Sequence, residues 1–201
     1  MKRILATLLA LTPVLGLAEA SSWNLDPAHS QATFSVRHLV ISNVRGEFGK
    51  LTGAANFDDK DASKSSVEAT IDTTTIDTRV AKRDEDLKSE NFFDVAKYPT
   101  ITFKSTKVEK AGKGKLKVTG DLTMHGVTKP VVLAVEGPTQ DIKDPWGNTR
   151  RGFSATTTIN RRDFGLAYSK AIEAGPVVGD QVKIDISAEF VKEAGDKTAT
   201  K

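Results

Sequence analysis

Three histidines are the side chains of this chain best suited to acid–base or metal chemistry at neutral pH. They are His29, His38 and His125, and no pair has the H-x-H or H-x-x-x-H spacing that brings two ligands to one zinc ion. The 201-residue chain contains no cysteine, which removes thiolate ligands, cysteine nucleophiles and disulfides. We therefore predict no metal site and no cofactor.

An enzyme stays open as an alternative, because the members of a catalytic triad need not be close in sequence. His38 lies on the apolar face of a predicted strand and His125 lies in a predicted turn, so either is a candidate general base. The sequence shows no G-x-S-x-G elbow, P-loop or dinucleotide fingerprint. The favoured prediction is that the protein is not an enzyme.

A second group of candidate residues is basic and lies on a short predicted helix at residues 78–89, with Asp77 or Thr78 as its cap. If this helix closes one end of a barrel, its arginines can line the mouth and bind a phosphate or carboxylate head group, and so can the arginines beside turns at residues 150–151 and 161–162. Arg79 and Arg83 are the predicted head-group residues. The alternative is that they are solvated charges, since acidic residues 84–86 neutralise them locally.

The elements that must position these residues are strands. Apolar and polar residues alternate along residues 33–38, 67–71, 115–122 and 182–190, which is typical of antiparallel strands with one buried face. Further strands fit residues 44–49, 51–57, 100–106, 129–136 and 151–159, separated by turn-forming residues. A single sheet would leave its apolar faces uncovered, whereas a closed barrel covers them and removes the sheet edges. Eight strands enclose a space that side chains fill or that holds one ligand.

The N-terminus has the pattern of a secretory signal. Lys2 and Arg3 precede the apolar residues 4–17, and Ala18-Glu19-Ala20 supplies small residues for cleavage before Ser21. The apolar run is shorter than the ~20 residues that span a bilayer, although an uncut anchor is the alternative. We predict a signal peptide at 1–20, one barrel domain at 21–193, a disordered tail at 194–201 and no stable membrane insertion.

The charge of the chain gives no indication of a nucleic-acid partner. Its formal net charge is +3, with 29 basic and 26 acidic residues, and the basic residues do not form one cluster. We therefore expect no binding to nucleic acid.

Four segments of the sequence resemble the YceI-like family. They are residues 83–99 (RDEDLKSENFFDVAKYP), residues 120–131 (GDLTMHGVTKPV), the pair DPAHS at 26–30 with FSVRH at 34–38, and residues 161–166 (RRDFGL). The likeness runs from about Trp23 to Phe190. One departure is that the family often carries His where Asp86 stands and Arg where Lys88 stands. A carboxylate is not a neutral-pH base as an imidazole is, which counts against an enzyme.

The resemblance implies an all-β fold: an eight-stranded antiparallel, lipocalin-like barrel with a short helical insertion. It also implies a periplasmic protein whose apolar tunnel binds a polyisoprenoid or similar amphiphile, and some members of the family form homodimers. The expected function is to carry or sequester an isoprenoid, a quinone or a similar lipid, bound non-covalently. The alternatives are an enzyme that modifies such a lipid, and a filled barrel that acts as a stress-response or interaction module.

Phe92 and Phe93 are expected to bound the tunnel where the helical insertion meets the next strand. Together with the inward faces of the strands, they complete the predicted tunnel lining: Phe34, Val36, His38, Ala69, Ile71, Phe92, Phe93, Ile101, Phe103, Leu122, Phe153, Phe164 and Ala188.

Overall fold

The computed structural model describes residues 20–172 and 175–194. The predicted signal peptide and the predicted tail therefore lie outside the described residues, except for Ala20 and Ala194. Within the described part of the chain, no helix is long and apolar enough to cross a membrane.

Strands dominate the described residues. There are fourteen of them, with one α-helix, α1 (Ala81–Lys88), and three short 3₁₀ turns at Ala62–Lys64, Thr73–Thr75 and Arg161–Phe164. The strands are β1 (Ser21–Leu25), β2 (Gln31–His38), β3 (Ser42–Phe48), β4 (Leu51–Phe57), β5 (Ser66–Asp72), β6 (Ile76–Asp77), β7 (Thr100–Gly112), β8 (Lys115–Met124), β9 (Val127–Glu136), β10 (Ile142–Lys143), β11 (Thr149–Asn160), β12 (Ala171–Ile172), β13 (Gly175–Pro176) and β14 (Val178–Lys192).

The sheet closes into a barrel through the long antiparallel pair β11–β14. Strands β1 and β2 both pair with β14, one after the other along its length. On their other side β1 pairs with β4 and β2 pairs with β3, so β4 and β3 also lie end to end. The end-to-end pairs β1/β2 and β4/β3 therefore each count as one interrupted strand. With β5, β7, β8, β9, β11 and β14 they form a closed barrel of eight antiparallel strands, which confirms the predicted fold class.

The two ends of the barrel differ. One end, here called the helix end, carries α1, the β2–β3 turn and the start of β14. The other end carries the connections β4–β5, β7–β8 and β9–β10. The ring is paired unevenly: β11 pairs with β14 at eleven positions, but with β9 only at Ser154–Thr156, towards the end opposite α1.

Helix α1 is shorter than predicted and has a different N-terminus. It begins at Ala81 after Val80, which makes no side-chain cap, so the prediction of Asp77 or Thr78 as the cap was wrong. The Asp84 carboxylate accepts hydrogen bonds from the Thr78 amide at 2.9 Å and from the Thr78 hydroxyl at 2.5 Å. A carboxylate in the first turn also suits the positive end of the helix dipole, and its bonds to Thr78 tie the segment before the helix to that turn.

The buried apolar side chains form three clusters along the barrel. The cluster at the helix end includes Phe48 and Phe164, and the segment after α1 adds Phe93, whose ring meets that of Phe48 edge-on at 5.8 Å. A middle cluster surrounds Trp23, which is fully buried. The interior is thus mostly apolar, with Arg151 and Arg161 as its buried charged residues among those described.

Candidate functional site

The barrel encloses a cavity of about 480 Å³ that runs from α1 to the opposite end. Its walls come from the inward faces of the strands, because successive side chains of a strand point to opposite sides. All but two of the predicted tunnel residues line it: Phe34, Val36, Ala69, Ile71, Phe92, Phe93, Ile101, Phe103, Leu122, Phe153 and Ala188. Their role in binding a ligand stays a prediction.

Phe92 and Phe93 close the helix end of the cavity, together with Leu87 of α1. The ring of Phe92 stacks on Tyr168 at 4.7 Å, and Phe93 packs against Phe48. Each of the two rings therefore packs against another aromatic ring and also contributes to the cavity wall.

Two predicted residues lie outside the cavity lining, His38 and Phe164. Phe164 belongs to a 3₁₀ turn rather than a strand and is 2% exposed in the helix-end cluster, so strand alternation does not place it. His38 is the last residue of β2, and the register of β14 shifts between the partners of Val36 and His38. A register shift interrupts the alternation of faces, so the inward pattern of β2 ends at Val36.

The predicted head-group arginines also lie outside the lining. Arg79 is exposed, and Arg83 is turned back onto its own helix start, where Nε donates to the Thr78 hydroxyl at 2.7 Å and Nη2 to the Thr78 carbonyl at 2.8 Å. Helix α1 presents apolar rather than basic side chains to the cavity.

The cavity opens at the end opposite α1. Every exposed residue of the lining lies there, on the β4–β5, β7–β8 and β9–β10 connections and the strand ends beside them: Asp59, Ser66, Lys110, Gly112, Gly114, Lys115 and Pro138. We call this opening the mouth. At the helix end, by contrast, every described lining residue is buried or half-buried.

The mouth also holds most of the charge of the cavity. Five of the six charged lining residues are there: Asp58, Asp59, Lys110, Lys115 and Arg151. The cavity is therefore amphipathic along its axis, with a mostly apolar closed end and a charged open end.

Of the arginines beside turns, Arg151 is the one that lies at the mouth, although the predicted head-group residues did not include it. Its side chain is 5% exposed, its guanidinium lies 4.2 Å from the centre of the Trp23 ring, and it lines the cavity. It donates two parallel hydrogen bonds to Asp141, at 2.9 and 2.8 Å, and one to Asp59 at 2.8 Å. Burial lowers the pKa of Arg151, but the hydrogen bonds to Asp141 and Asp59 outweigh it and the net shift is upward. Arg151 is thus a permanently charged group fixed just inside the mouth.

The sixth charged lining residue, Arg161, lies at the helix end and is 4% exposed. Burial lowers its pKa, the largest influence on this group. Its guanidinium donates to the carbonyls of Gly179 and Leu166 and to the Asp180 carboxylate at 2.9 Å. These bonds tie the 3₁₀ turn after β11 to the start of β14, which is a structural task.

None of the three histidines lines the cavity. The ring of His125 packs on Tyr98 at 4.6 Å in the β8–β9 turn. His29, Asp26 and Glu189 come close enough together on the outside of the barrel to share an ion. Arg150 already joins that group, through hydrogen bonds to Asp26 at 2.6 Å and to Glu189 at 2.5 Å. The cluster is therefore an ion-pair network around a guanidinium.

An enclosed apolar cavity in an eight-stranded antiparallel barrel defines a class of small-molecule-binding barrels of lipocalin type. The YceI-like domain family model matches residues 23–190, nearly all of the described chain, so the protein belongs to the YceI-like family. This confirms the resemblance seen in the sequence.

Relatives of known sequence support the same assignment. A UPF0312 protein of Vibrio parahaemolyticus is 40% identical over 92% of this chain and 94% of its own length. A UPF0312 protein of Shewanella denitrificans is 37% identical over 96% of this chain and 99% of its own length.

Solved structures share the barrel. BcnA of Burkholderia cenocepacia is similar with a TM-score of 0.73 and 25% identity, over 82% of this chain and 98% of BcnA. The Campylobacter jejuni YCEI protein gives 0.67 and 33%, over 79% and 90%. A polyisoprenoid-binding domain from Saccharophagus degradans gives 0.63 at 17% identity, over 87% and 99%, which shows likeness of fold alone.

Proposed function

We propose that the protein binds an amphiphile with a long apolar chain, such as an isoprenoid, a quinone or a similar lipid, and carries or sequesters it. The observation that supports this most directly is the cavity of about 480 Å³, apolar to its closed end and charged at its mouth. The apolar chain lies between the barrel walls with its end near Phe92 and Phe93, and the polar group lies at the mouth.

The physical driving force is removal of apolar surface from water, which contributes ~25 cal/mol for each Å². A long unbranched or isoprenoid chain exposes its whole length in water, so a deep narrow cavity is the shape that covers it. At the mouth, Lys110, Lys115 and Arg151 can donate hydrogen bonds to a phosphate, a carbonyl or a hydroxyl oxygen. We place the head group there rather than beside Arg79 and Arg83.

Family membership supports the same proposal. The protein from Saccharophagus degradans that shares this fold is a polyisoprenoid-binding domain. We propose binding rather than catalysis because none of the three imidazoles lines the cavity, so a bound chain would meet no histidine base. We further propose that the protein acts outside the cytoplasm, in the periplasm, after cleavage of residues 1–20.

The export proposal has a direct test. The strand β1 begins at Ser21, and Ser21 pairs with Phe57, so cleavage before Ser21 would leave every described strand intact. We expect the intact mass of the protein recovered from the periplasm to correspond to a chain that starts near Ser21. A mass that includes residues 1–20 would contradict export by a cleaved signal.

The ligand is tested by extraction. The protein should be purified from its own export compartment without detergent, extracted with organic solvent and analysed by mass spectrometry. We expect a lipid with a long apolar chain in stoichiometric amount. If the purified protein contains no lipid and also takes up no isoprenol or quinone in solution, the result would contradict lipid binding and favour the filled barrel.

Substitution of a small wall residue separates a cavity from a solid core. Ala188→Trp and Ala69→Trp each place an indole in the space that the ligand would occupy. We expect both variants, freed of lipid, to melt close to the wild type while binding falls at least tenfold. Overpacking of a filled core would instead cost ~1–3 kcal/mol. Ser187→Trp is the matched control, because Ser187 is exposed on the outer face next to Ala188.

A further inference from the structure

The hairpin formed by β10 and β11 exposes two large apolar side chains beside the mouth. Trp146 is 80% exposed and Ile142 is 59% exposed. An exposed tryptophan is an unusual use of the largest apolar side chain, because burial of such a ring contributes several times more than burial of a methyl group. A side chain of this kind at a defined place indicates a surface that it contacts.

The turn that carries Trp146 is held in one conformation. The Asp144 carboxylate accepts hydrogen bonds from the amides of Trp146 and Asn148 at 3.0 and 2.8 Å, and from Arg150 Nε at 2.8 Å. Because Arg150 is itself bonded to Asp26 on the barrel, the turn is anchored to the barrel wall. The backbone that carries Trp146 is therefore already ordered before any binding, which reduces the conformational entropy lost when the side chain docks on a surface.

Hydrogen bonds around the rim connect this hairpin to the mouth. Asp141, one residue before β10, holds Arg151, and the Thr139 amide donates to the Gly152 carbonyl at 2.9 Å. The Gly137 amide donates to the Gly114 carbonyl at 2.9 Å, which joins the rim to the β7–β8 turn. Trp146 and the β7–β8 turn thus belong to one end of the barrel, the end at which the cavity opens.

The rim carries three lysines that stand outside its ion pairs. Asp59 and Asp141 share the single charge of Arg151, and Asp144 shares Arg150 with Asp26 and Glu189. Among the described residues, Lys110, Lys113 and Lys143 form no ion pair with any carboxylate. An apolar ring next to unpaired lysines is the combination that suits the boundary between the head groups and the acyl chains of an anionic bilayer.

We propose that the mouth end docks on an anionic lipid surface, with the Trp146 ring in the interfacial layer and the rim lysines on lipid phosphates. This inference rests on the proposed function. In the docked protein, the apolar chain of the lipid passes directly between the bilayer and the cavity without crossing bulk water. The helix end, closed by Leu87, Phe92 and Phe93, faces away from the bilayer.

The two tryptophans of the chain provide the measurement. Trp23 is fully buried, so a change in emission on adding vesicles reports on Trp146. We expect vesicles of phosphatidylcholine with phosphatidylglycerol to shift the emission of the mature protein to the blue, and brominated lipid to quench it. Unchanged emission, or equal binding to vesicles of phosphatidylcholine alone, would overturn the proposal.

Variants locate the docking surface. Trp146→Ala should lower the vesicle partition coefficient about tenfold, since it removes a large apolar side chain from the interface. Lys110→Glu and Lys113→Glu should each lower it at least about fivefold and weaken the salt dependence. Ile41→Ala is the matched control, because Ile41 is 77% exposed on the β2–β3 turn at the helix end. Loss of binding in Ile41→Ala, with Trp146→Ala unchanged, would place the contact at the wrong end.

Loading in solution separates the two proposals. Geranylgeraniol supplied from cyclodextrin should fill the cavity of Trp146→Ala as well as that of the wild type, while transfer from vesicles slows about tenfold in the variant. Normal loading from cyclodextrin without vesicle binding would overturn docking and leave the proposed function in place. Vesicle binding without any loading would contradict the proposed function.

Discussion

A single buried cation, Arg151, organises the open end of the cavity. Its planar guanidinium stacks on Trp23 and bonds Asp141 with two parallel hydrogen bonds, a geometry that lysine cannot reproduce. Because Asp59 comes from the β4–β5 connection and Asp141 from the β9–β10 connection, one side chain holds two segments of the rim. The residue therefore acts in both the stability of the barrel and the polarity of its mouth.

Arg151→Lys should destabilise the protein by about 1–2 kcal/mol, through loss of the cation–π contact and of the two-bond pairing with Asp141. Urea unfolding at pH 7 measures this free energy. The control is Arg162→Lys, which keeps its charge near Asp180 and is 42% exposed, so a change below about 0.5 kcal/mol is expected. Equal effects at the two positions would show that burial and stacking do not matter at Arg151.

At this scale the sequence carries a signal for the position of Arg151. Arg151 has the same parity along β11 as Phe153 and Ala155, both of which line the cavity, so alternation alone places it inward. The usual exposure of arginine argued against that position. Its acidic partners are 10 and 92 residues away in sequence, and only the fold brings them together.

The β10–β11 hairpin contributes one arginine to the outer surface of the barrel and one to the mouth of the cavity. Arg150 points outward to Asp26, Asp144 and Glu189, while the adjacent Arg151 points inward. Consecutive residues of a strand face opposite sides, so two neighbouring arginines serve two separate networks. The outer network fixes the hairpin and with it the position of Trp146.

This network makes the stability of the hairpin depend on pH. The hydrogen bond from Arg150 lowers the pKa of Asp144 from its ordinary value of 3.8 to about 2, and the same guanidinium lowers the pKa of Asp26. A carboxyl group whose pKa is lower in the folded state stabilises the fold above its unfolded pKa, and that stabilisation is lost as the pH falls through the folded pKa. We expect the urea midpoint to fall as the pH drops from about 5 towards 2.

Asp144→Asn tests the assignment to this hairpin. It keeps an oxygen that can accept the backbone hydrogen bonds but removes the charge opposite Arg150. We expect a lower urea midpoint than the wild type at pH 7 and a difference that shrinks towards pH 2. Asp121→Asn, at an exposed carboxylate on β8, is the control and should leave the pH dependence unchanged. A constant difference at all pH values would show that the charge of Asp144 is not responsible.

Elements were easier to predict than the site that they form. Alternation predicted a strand at residues 51–57, which is β4, and located β9 and β11 to within two residues. It gave the inward face of most strands, and hence most of the lining. It did not show which end of the barrel is open, because that depends on how Phe93, in the segment after α1, packs against Phe48 and on which connections leave a gap. The head group was therefore expected at Arg79 and Arg83, at the closed end.

The whole molecule is organised by closure of the barrel. Pairing of β11 with β14 along eleven positions completes the ring and fixes the distance between opposite walls. Small residues on inward faces, among them Ala69, Ala155 and Ala188, then leave space along the axis that larger side chains would fill. Period-two patterning predicted the ring, but the size of the cavity follows from the side chains of all eight walls together.

A cavity that is filled by its ligand links binding to the stability of the whole barrel. A ligand that binds only the folded state adds ~2.7 kcal/mol to the free energy of unfolding when its free concentration is about 100 times Kd. For a domain of this size we expect Tm to rise by about 5–10 °C. Calorimetry of the extracted protein, before and after it is loaded with geranylgeraniol, measures this shift. Ala188→Trp should show no shift because its indole occupies the ligand space, whereas Ser187→Trp should respond as the wild type does. An equal Tm for loaded and extracted wild-type protein would mean that the bound lipid contributes nothing to the fold, which an enclosed apolar ligand cannot do.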